Sequence, residues 1–419
     1  MLPRMGKRKD FIFIGRTSTE IAASIVDNFG HGERTPDGRP AITRPGPVIQ
    51  FGVNAFEDGE VNTTLFANGD QPNHPVVQTL DEKQKNEIAC GLEGSHVTIV
   101  HSASGQNTSM RAMGLVFLAK SLKSEYGVKD IRVIAPALPF MRSDRIFRKA
   151  DQQGAMRSEF NAVAALHFAE LLHDAGVRRV IGIEPHSRDG VKHYREVFGK
   201  KKAQFINMGD FYADQIREEY GLIDTQGNCL VMVGSPDGMN KPGDYGMARA
   251  SSFGDALYKG TPAEKYSRVH HNFRDRPYMF GIHKERISSK ETEIVGFHGE
   301  VSGKTCIIID DIISGGSTTL HAAEELKKRG ARDVVAIATH AVLVNGAARR
   351  LTESPFLDRI MLTDTIPSVA DKLDENQLTD HHKVVIRSVA PLIVQAIEPK
   401  FRPHKKLIRA YERLKPQVG

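Results

Sequence analysis

The chain has 419 residues, 40% hydrophobic and 26% charged, a balance that supports sizeable apolar cores in a soluble protein longer than one typical domain. It contains no apolar run of roughly 18 residues or more, so no membrane-spanning helix is expected, and its basic start lacks an apolar signal region before FIFIG, so a cytoplasmic protein is expected. The formal net charge of +6 is a small excess spread over 57 basic and 51 acidic residues that phosphorylated substrates explain as well as nucleic acid would, and with no aromatic RNA-reading motif or long basic stripe a nucleic-acid partner is not expected.

In chain order, the run FIFIG at 11–15 reads as the first strand. Gly30 to Pro47, rich in Gly, Pro and Arg, reads as a surface loop. Phe56-Glu57-Asp58-Gly59-Glu60 is an acidic turn, its Asp-Gly pair being turn chemistry. Ser158 is placed to cap a helix whose buried face is Phe160, Ala164, Phe168, Leu171 and Leu172, with Gly176 as its stop. RVIGI at 179–183 then resumes as a strand that ends at Glu184 and His186. Glu218 to Asn228 reads as a second surface loop, and LVMVG at 230–234 as a strand running toward Asp237. Cys90, Cys229 and Cys306 are too few and too widely spaced for a disulfide framework or a metal site; Cys229 and Cys306 fall in apolar strands and read as buried thiols.

The most informative stretch is Thr305 to Thr319, TCIIIDDIISGGSTT. Residues 305 to 309 are too few for a helix and read as a buried parallel strand that stops at two carboxylates, Asp310 and Asp311. A helix follows, with Leu320, Ala323 and Leu326 as its stripe, Lys327, Lys328 and Arg329 at its negative end and Gly330 as its stop. The turn from Ser314 to Thr319 therefore presents backbone N–H groups and hydroxyls at a helix N-terminus, where an anion is favoured. The adjacent carboxylates suit ribose hydroxyls or a hydrated Mg²⁺. Together the pattern fits a phosphorylated sugar. A further apolar strand ends at Asp364, and in the tail Leu407, Tyr411 and Leu414 fall at helical spacing within the basic stretch Lys400 to Lys415. Strands alternating with amphipathic helices imply an α/β doubly wound architecture, and reactive tips after several parallel strands point to one crevice.

These residues carry a family resemblance. DDIISGGSTT, HAAEELKKRGA, ATHAVLVNGAARRL and TDTIP, taken in order from 310 to 367, resemble the C-terminal half of the 5-phosphoribosyl 1-pyrophosphate synthetase (ribose-phosphate pyrophosphokinase) family. FEDGE at 56–60, PFMRSDR at 139–145, EPHS at 184–187, SPD at 235–237 and HKER at 283–286 complete the family's order. The resemblance covers about Phe11 to about Pro399. It implies an α/β fold of two phosphoribosyltransferase-like doubly wound lobes with mostly parallel sheets and the site between them. The lobes are expected at 10–202 and 203–393, with a C-terminal helix, 394–419, returning to the first.

The resemblance also implies the chemistry, a transfer of the β,γ-pyrophosphoryl group of ATP to the anomeric hydroxyl of ribose 5-phosphate. Such a displacement depends on in-line positioning and neutralisation of charge. By matching position, Lys284 and Arg286 are the catalytic cations, and His186 and Asp237 contact the Mg²⁺ of Mg-ATP. Phe56, Asp58 and Glu60 match an adenine-contacting strip supplied by a neighbouring subunit, and Arg142, Ser143 and Asp144 match further ATP contacts, with His186 beside them. Asp310 and Asp311 would hold the ribose hydroxyls, and Ser314, Gly315, Gly316, Ser317 and Thr318 the 5-phosphate. A strip acting across an interface implies a dimer-based homo-oligomer, a hexamer being the form expected.

Against the family pattern, Glu184 stands where an aspartate is usual and Ser143 where a glutamine is usual. In the phosphate turn, Gly315 removes a hydroxyl and Ser317 replaces a glycine that lets phosphate approach closely. Gly30–Pro47, Glu218–Asn228 and Met239–Tyr278 look like insertions, the last holding His270, His271, Arg274 and Arg276 and expected to lie over the active site as solvated loop. The departures keep two alternatives open: a pyrophosphokinase acting on a related ribosyl substrate such as ADP-ribose, and a non-catalytic synthetase-associated regulatory subunit. A phosphoribosyltransferase that consumes phosphoribosyl pyrophosphate would have no use for the FEDGE strip or the second lobe.

Overall fold

The computed structural model describes residues 10–29, 33–34, 40–41, 48–65, 80–146, 148–150, 156–158, 162–236, 245–265, 275–286, 292–375 and 383–397, apart from positions 16, 18 and 106. They divide into two compact units. The first comprises residues up to Phe205, Thr365–Pro367 and the stretch from Ser388; the second runs from Ile206 to Asp364 and includes Ser368–Arg387.

In the first unit the chain runs β1 (Asp10–Ile14), α1 (Thr19–Phe29), β2 (Glu33–Arg34), β3 (Pro40–Ala41), β4 (Val48–Gln50), β5 (Gly52–Ala55), β6 (Val61–Thr64), α2 (Glu82–Gly91), β7 (His96–Val100), α3 (Thr108–Ser124) and β8 (Asp130–Ala135). It continues through β9 (Arg148–Ala150), β10 (Met156–Ser158), α4 (Ala164–Asp174), β11 (Val177–Ile183), α5 (Arg188–Phe198) and β12 (Ala203–Ile206). Six of these strands form one sheet in the order β12-β11-β8-β7-β1-β4, with β11, β8, β7, β1 and β4 parallel. Parallel strands are covered on both faces and read as continuous apolar runs. Phe13 accordingly sits in register between Ile49 and Ile99, all three inaccessible to solvent.

The second unit runs α6 (Gly209–Glu219), β13 (Val231–Gly234), α7 (Tyr245–Leu257), β14 (Gly281–Arg286), β15 (Thr292–His298), β16 (Thr305–Ile313), α8 (Ser317–Lys328), β17 (Asp333–Ala341), α9 (Ala347–Glu353), β18 (Arg359–Thr363), α10 (Ser368–Glu375) and β19 (Val384–Arg387). Its five-stranded sheet, β13-β16-β17-β18-β19, is parallel throughout. Ile308 lies at its heart between Gly234 and Ala336. Burying a side chain of that size is worth about 1.5–3 kcal/mol. The chain then returns to the first unit as α11 (Ala390–Ile397), which packs on α1 and β8. The α/β class with mostly parallel sheets is as expected.

Several local expectations are corrected. The strand read as 305–309 extends to Ile313, because Ile312 and Ile313 keep the ladder with His340 and Ala341. The two carboxylates therefore lie inside the strand. Ser158 is no helix cap: it pairs with Arg148 in the β9–β10 ribbon, and α4 begins at Ala164 after Val163. Phe168 and Leu172 are buried as expected, Leu171 is exposed, and Phe160 lies outside the described residues. Within Gly30–Pro47 the described residues form the short antiparallel pair β2–β3. Cys229 sits just before β13 in an isolated bridge with Ile223 rather than in a strand; it and Cys306 are buried, whereas Cys90 is exposed. The amphipathic tail at Lys400–Lys415 lies outside the described residues.

The largest correction concerns Met239–Tyr278. Residues 245–257 form α7, which packs against α6, β13 and β16, with Met247, Ala250, Phe253 and Leu257 in the core. Arg276 is buried too, its guanidinium donating to the Asp255 carboxylate at 2.7 Å and to the Ser251 hydroxyl. Tyr278 stacks on Tyr258 at 4.6 Å and donates to the same carboxylate at 2.8 Å. These parts of the presumed insertion are core structure of the second unit. His270, His271 and Arg274 lie outside the described residues.

Candidate active site

In the first unit, the expected residues occupy three neighbourhoods. Phe56, Asp58 and Glu60 lie on the turn of the β5–β6 hairpin, all exposed, with Phe56 56% accessible. The turn is closed by the Phe56 amide donating to the Glu60 carbonyl at 2.8 Å and by the Glu60 amide donating to Asp58 Oδ1 at 3.0 Å, with Gly59 at φ +91°. The hairpin rests on α3 at Gly114. A Cβ at that position would fall 2.3 Å from Val53 Cγ1, so only glycine allows this approach.

Beyond β8, Phe140 adopts φ +62° and turns the chain so that Arg142 is exposed, Ser143 half-buried and Asp144 buried. The Ser143 hydroxyl donates to the Ala162 carbonyl at 2.9 Å, and the Ser143 carbonyl accepts from the Ala165 amide at 3.0 Å. The loop is thereby fastened to the start of α4. From the other side, His193 of α5 bonds the Asp144 carbonyl at 2.7 Å.

At the tip of β11, buried Glu184 takes a left-handed conformation, φ +36°, which costs a residue with a Cβ about 1–2 kcal/mol. Such outliers persist where surrounding structure over-determines them. The bend sets half-buried His186 directly before Ser187, whose hydroxyl caps α5 by accepting from the Gly190 amide at 3.0 Å.

In the second unit, β16 carries Asp310 and Asp311 into the turn that opens α8. Gly316 is the N-cap at φ +80°, and the first intrahelical bond runs from the Leu320 amide to the Gly316 carbonyl at 3.0 Å. The amides of Ser317, Thr318 and Thr319 therefore precede the helix's own bonding pattern. The turn is braced from behind: the Val344 amide donates to the Ser314 carbonyl at 3.0 Å, and Arg350 of α9 donates to the Gly315 carbonyl at 2.8 Å. Ser317 is exposed and Thr318 half-buried. The turn thus joins exposed backbone and hydroxyls at the positive end of a 12-residue helix, a geometry suited to phosphate.

The two carboxylates differ. Asp311 has a side chain 3% exposed, whereas that of Asp310 is 20% exposed. Both meet Arg249 of α7, a residue that sequence reasoning missed, at 3.1 Å from Asp311 and 3.4 Å from Asp310. Its signal was the spacing of Met247, Ala250, Gly254 and Leu257, one face of a helix inside a stretch taken for loop. His193 and Arg350 were missed because their bonds are to main-chain carbonyls, which leave no motif.

The backbone of Lys284 and Arg286 belongs to β14, paired antiparallel with β15, Lys284 opposite Ile294 and Arg286 opposite Thr292. Asp237 lies outside the described residues, two positions past buried Ser235 at the end of β13. Among the described residues no cluster of three or more His, Cys, Asp and Glu could hold a metal ion.

Residues 262–403 match the family model described as the phosphoribosyl synthetase-associated domain. Curated relatives named ribose-phosphate pyrophosphokinase include those of Ralstonia nicotianae, 30% identical over 85% of this chain and 85% of the relative, and Burkholderia pseudomallei, 30% identical over 86% and 87%. That of Caldanaerobacter subterraneus is 26% identical over 92% of this chain and 93% of the relative. Among solved structures, the phosphoribosylpyrophosphate synthetase of Mycobacterium smegmatis superimposes with a TM-score of 0.60 over 93% of this chain and 97% of that one, at 23% identity.

Proposed function

The chain belongs to the ribose-phosphate pyrophosphokinase family, and from that premise we propose that it transfers the β,γ-pyrophosphoryl group of ATP to the C1 hydroxyl of ribose 5-phosphate, giving phosphoribosyl pyrophosphate and AMP. The observation that carries the reading is the pair Asp310–Asp311 on a central parallel strand, followed within a few residues by a braced glycine turn that opens a helix. Carboxylates accept from vicinal sugar hydroxyls, and the amides and hydroxyls after them receive a phosphate.

In the reaction the C1 oxygen attacks the β-phosphorus in line, its proton passes to solvent water, and the bond from that phosphorus to the oxygen bridging the α-phosphate breaks. AMP departs with that oxygen. Asp310 orients the sugar, and Ser314 to Thr318 hold its 5-phosphate. Lys284 and Arg286 supply positive charge to the group in transit. Phe56 offers a face to the adenine, and Arg142, Ser143 and Asp144 contact the nucleotide beside His186. Mg²⁺, held through ATP with His186 and Asp237 as its protein ligands, would neutralise phosphate charge. Chemistry of this kind depends on positioning more than on covalent help.

The altered phosphate turn does not demand a different acceptor. Ser317 is exposed and begins the helix, so the turn retains its amides and the hydroxyls of Ser314 and Thr318. A homo-oligomer in which a neighbour supplies the Phe56 strip, and a cytoplasmic location, belong to the same reading. No described helix is long and apolar enough to cross a membrane.

The test is AMP release from Mg-ATP by purified protein, with ribose 5-phosphate or ADP-ribose as acceptor. AMP with ribose 5-phosphate is the expected result. AMP with ADP-ribose alone would reassign the acceptor, and no AMP with either would leave a non-catalytic subunit.

A further inference from the structure

Arg249 projects from α7 with its side chain 4% exposed, its two terminal nitrogens divided between two carboxylates: Nη1 at 3.4 Å from Asp310 Oδ1 and Nη2 at 3.1 Å from Asp311 Oδ1. Its guanidinium carbon lies 5.4 Å from the centroid of the Tyr245 ring, one helical turn back. Such a ring supports a cation while offering it no competing anion. Asp310 Oδ1 also accepts from the Asp311 amide at 2.9 Å, which ties that carboxylate to the backbone.

We propose that Arg249 is the positioning residue of the sugar site: it fixes the carboxylate plane of Asp310 and offsets the charge of the adjacent carboxylates, so that an anionic sugar phosphate can approach them. The inference rests on the proposed function and adds a residue to it.

Two points favour positioning over fold maintenance alone. First, the carboxylates are not equivalent. Asp311 is sealed against Arg249, while Asp310, the weaker contact of the two, keeps a fifth of its side chain open. The guanidinium thus grips the pair from inside and leaves one member facing outward. Second, the site must receive a 5-phosphate at the turn beginning three residues after Asp311. Two adjacent carboxylates would repel that anion, and one buried guanidinium halves their charge from −2 to −1 at short range, where screening by solvent is weakest. A planar fork can span two acceptors at once; an ammonium is a point charge and cannot hold both in plane.

The test uses the full chain, with initial velocities of AMP release measured for wild type, Arg249→Lys and Arg249→Ala, varying ribose 5-phosphate at saturating Mg-ATP and the reverse. For Arg249→Lys the KM for ribose 5-phosphate is expected to rise about tenfold, with the KM for Mg-ATP within about twofold of wild type. For Arg249→Ala, guanidinium ion added at millimolar concentration is expected to bring the ribose 5-phosphate KM back toward wild type. If Arg249→Ala does not fold, the lysine variant decides. An Arg249→Lys enzyme whose KM values are unchanged, or rise equally for both substrates, overturns the proposal while the enzyme's activity stands. Wild type that releases no AMP with ribose 5-phosphate overturns the underlying function itself, and with it this role.

Discussion

The imidazole of His193 donates from Nε2 to the main-chain carbonyl of Asp144 at 2.7 Å. The acceptor is a carbonyl, so Nε2 must carry the proton, and Nδ1 then faces Glu196 at 3.6 Å. His193 sits on α5, five residues past its first residue Arg188, and His186 directly precedes that helix's N-cap Ser187, so one helix ties together the loop at 142–144, proposed to contact the nucleotide, and the β11 tip. His193→Ala should therefore raise the KM for Mg-ATP several-fold and leave that for ribose 5-phosphate unchanged. His193→Gln, whose amide can still donate, should restore most of the affinity. Equal KM shifts for both substrates would count against this role.

Gly114 makes a second prediction, about the seat of the β5–β6 hairpin. Because its missing Cβ is what lets Val53 seat the β5–β6 hairpin on α3, Gly114→Ala must push the hairpin away or strain the helix. Overpacking of this kind costs about 1–3 kcal/mol. The variant should melt lower, and Gly114→Ala combined with Val53→Ala should recover the melting temperature. Failure of the second change to rescue the first would show that the contact does not limit packing.

How much of this was legible in the sequence depended on whether a residue acts through its own side chain in a local pattern. Asp310 and Asp311 stood out because an apolar strand, two acids and a glycine turn are contiguous. The strand's continuation was also available, since Ile312 and Ile313 after the acids are apolar, yet the carboxylates were taken as its end. Arg249 was hidden because its partners are about 60 residues away and its helix is built of Ala, Ser and Gly rather than Leu. Small residues let α7 pack closely on α6 and β16, and the same smallness made the segment resemble loop. Arg276 was read as solvated for a similar reason: its partners Ser251 and Asp255 lie on that unrecognised helix.

Lys284 and Arg286 stand two residues apart on β14, in a two-stranded ribbon whose lead-in, Tyr278 to Phe280, is bonded to Val233 of β13. If they stabilise charge on the transferred group, Lys284→Ala should lower kcat by about 10²- to 10³-fold, the range for loss of one preorganised electrostatic donor. The KM values and the melting temperature should move little. Near-normal turnover would remove Lys284 from the mechanism.

Arg132 of β8 reaches across to the C-terminal end of α11, donating to the Ile397 carbonyl at 2.5 Å and the Ala396 carbonyl at 3.3 Å, while also bonding the Thr98 hydroxyl at 2.9 Å. A cation on the last carbonyls of a helix satisfies groups that have no partner within it and complements its dipole. Arg132→Met keeps most of the apolar stem and removes these bonds. It should cost about 1–3 kcal/mol of stability, visible as a lower melting temperature, and leave both KM values unchanged. A KM change would mean that α11 does more than brace the first sheet.

The cysteines allow a test that involves no substrate. Cys90 is exposed on α2, whereas Cys229 and Cys306 are buried, so a thiol reagent should label one site per native chain quickly and the other two only on unfolding. Burial pushes the Cys306 thiol up from 9.0 to about 12. The folded state then holds this proton more tightly than the unfolded chain. The corresponding stability is fully present below pH 9 and is lost as pH rises toward 12, because over that interval only the unfolded chain ionises at this position. Cys306→Ala removes the titrating group, at the cost of a small cavity beside Ile308. The variant should be less stable than wild type at neutral pH, yet lose less stability between pH 9 and 11 in denaturant titrations. Parallel pH profiles for the two proteins would show that the thiol does not ionise differently on unfolding.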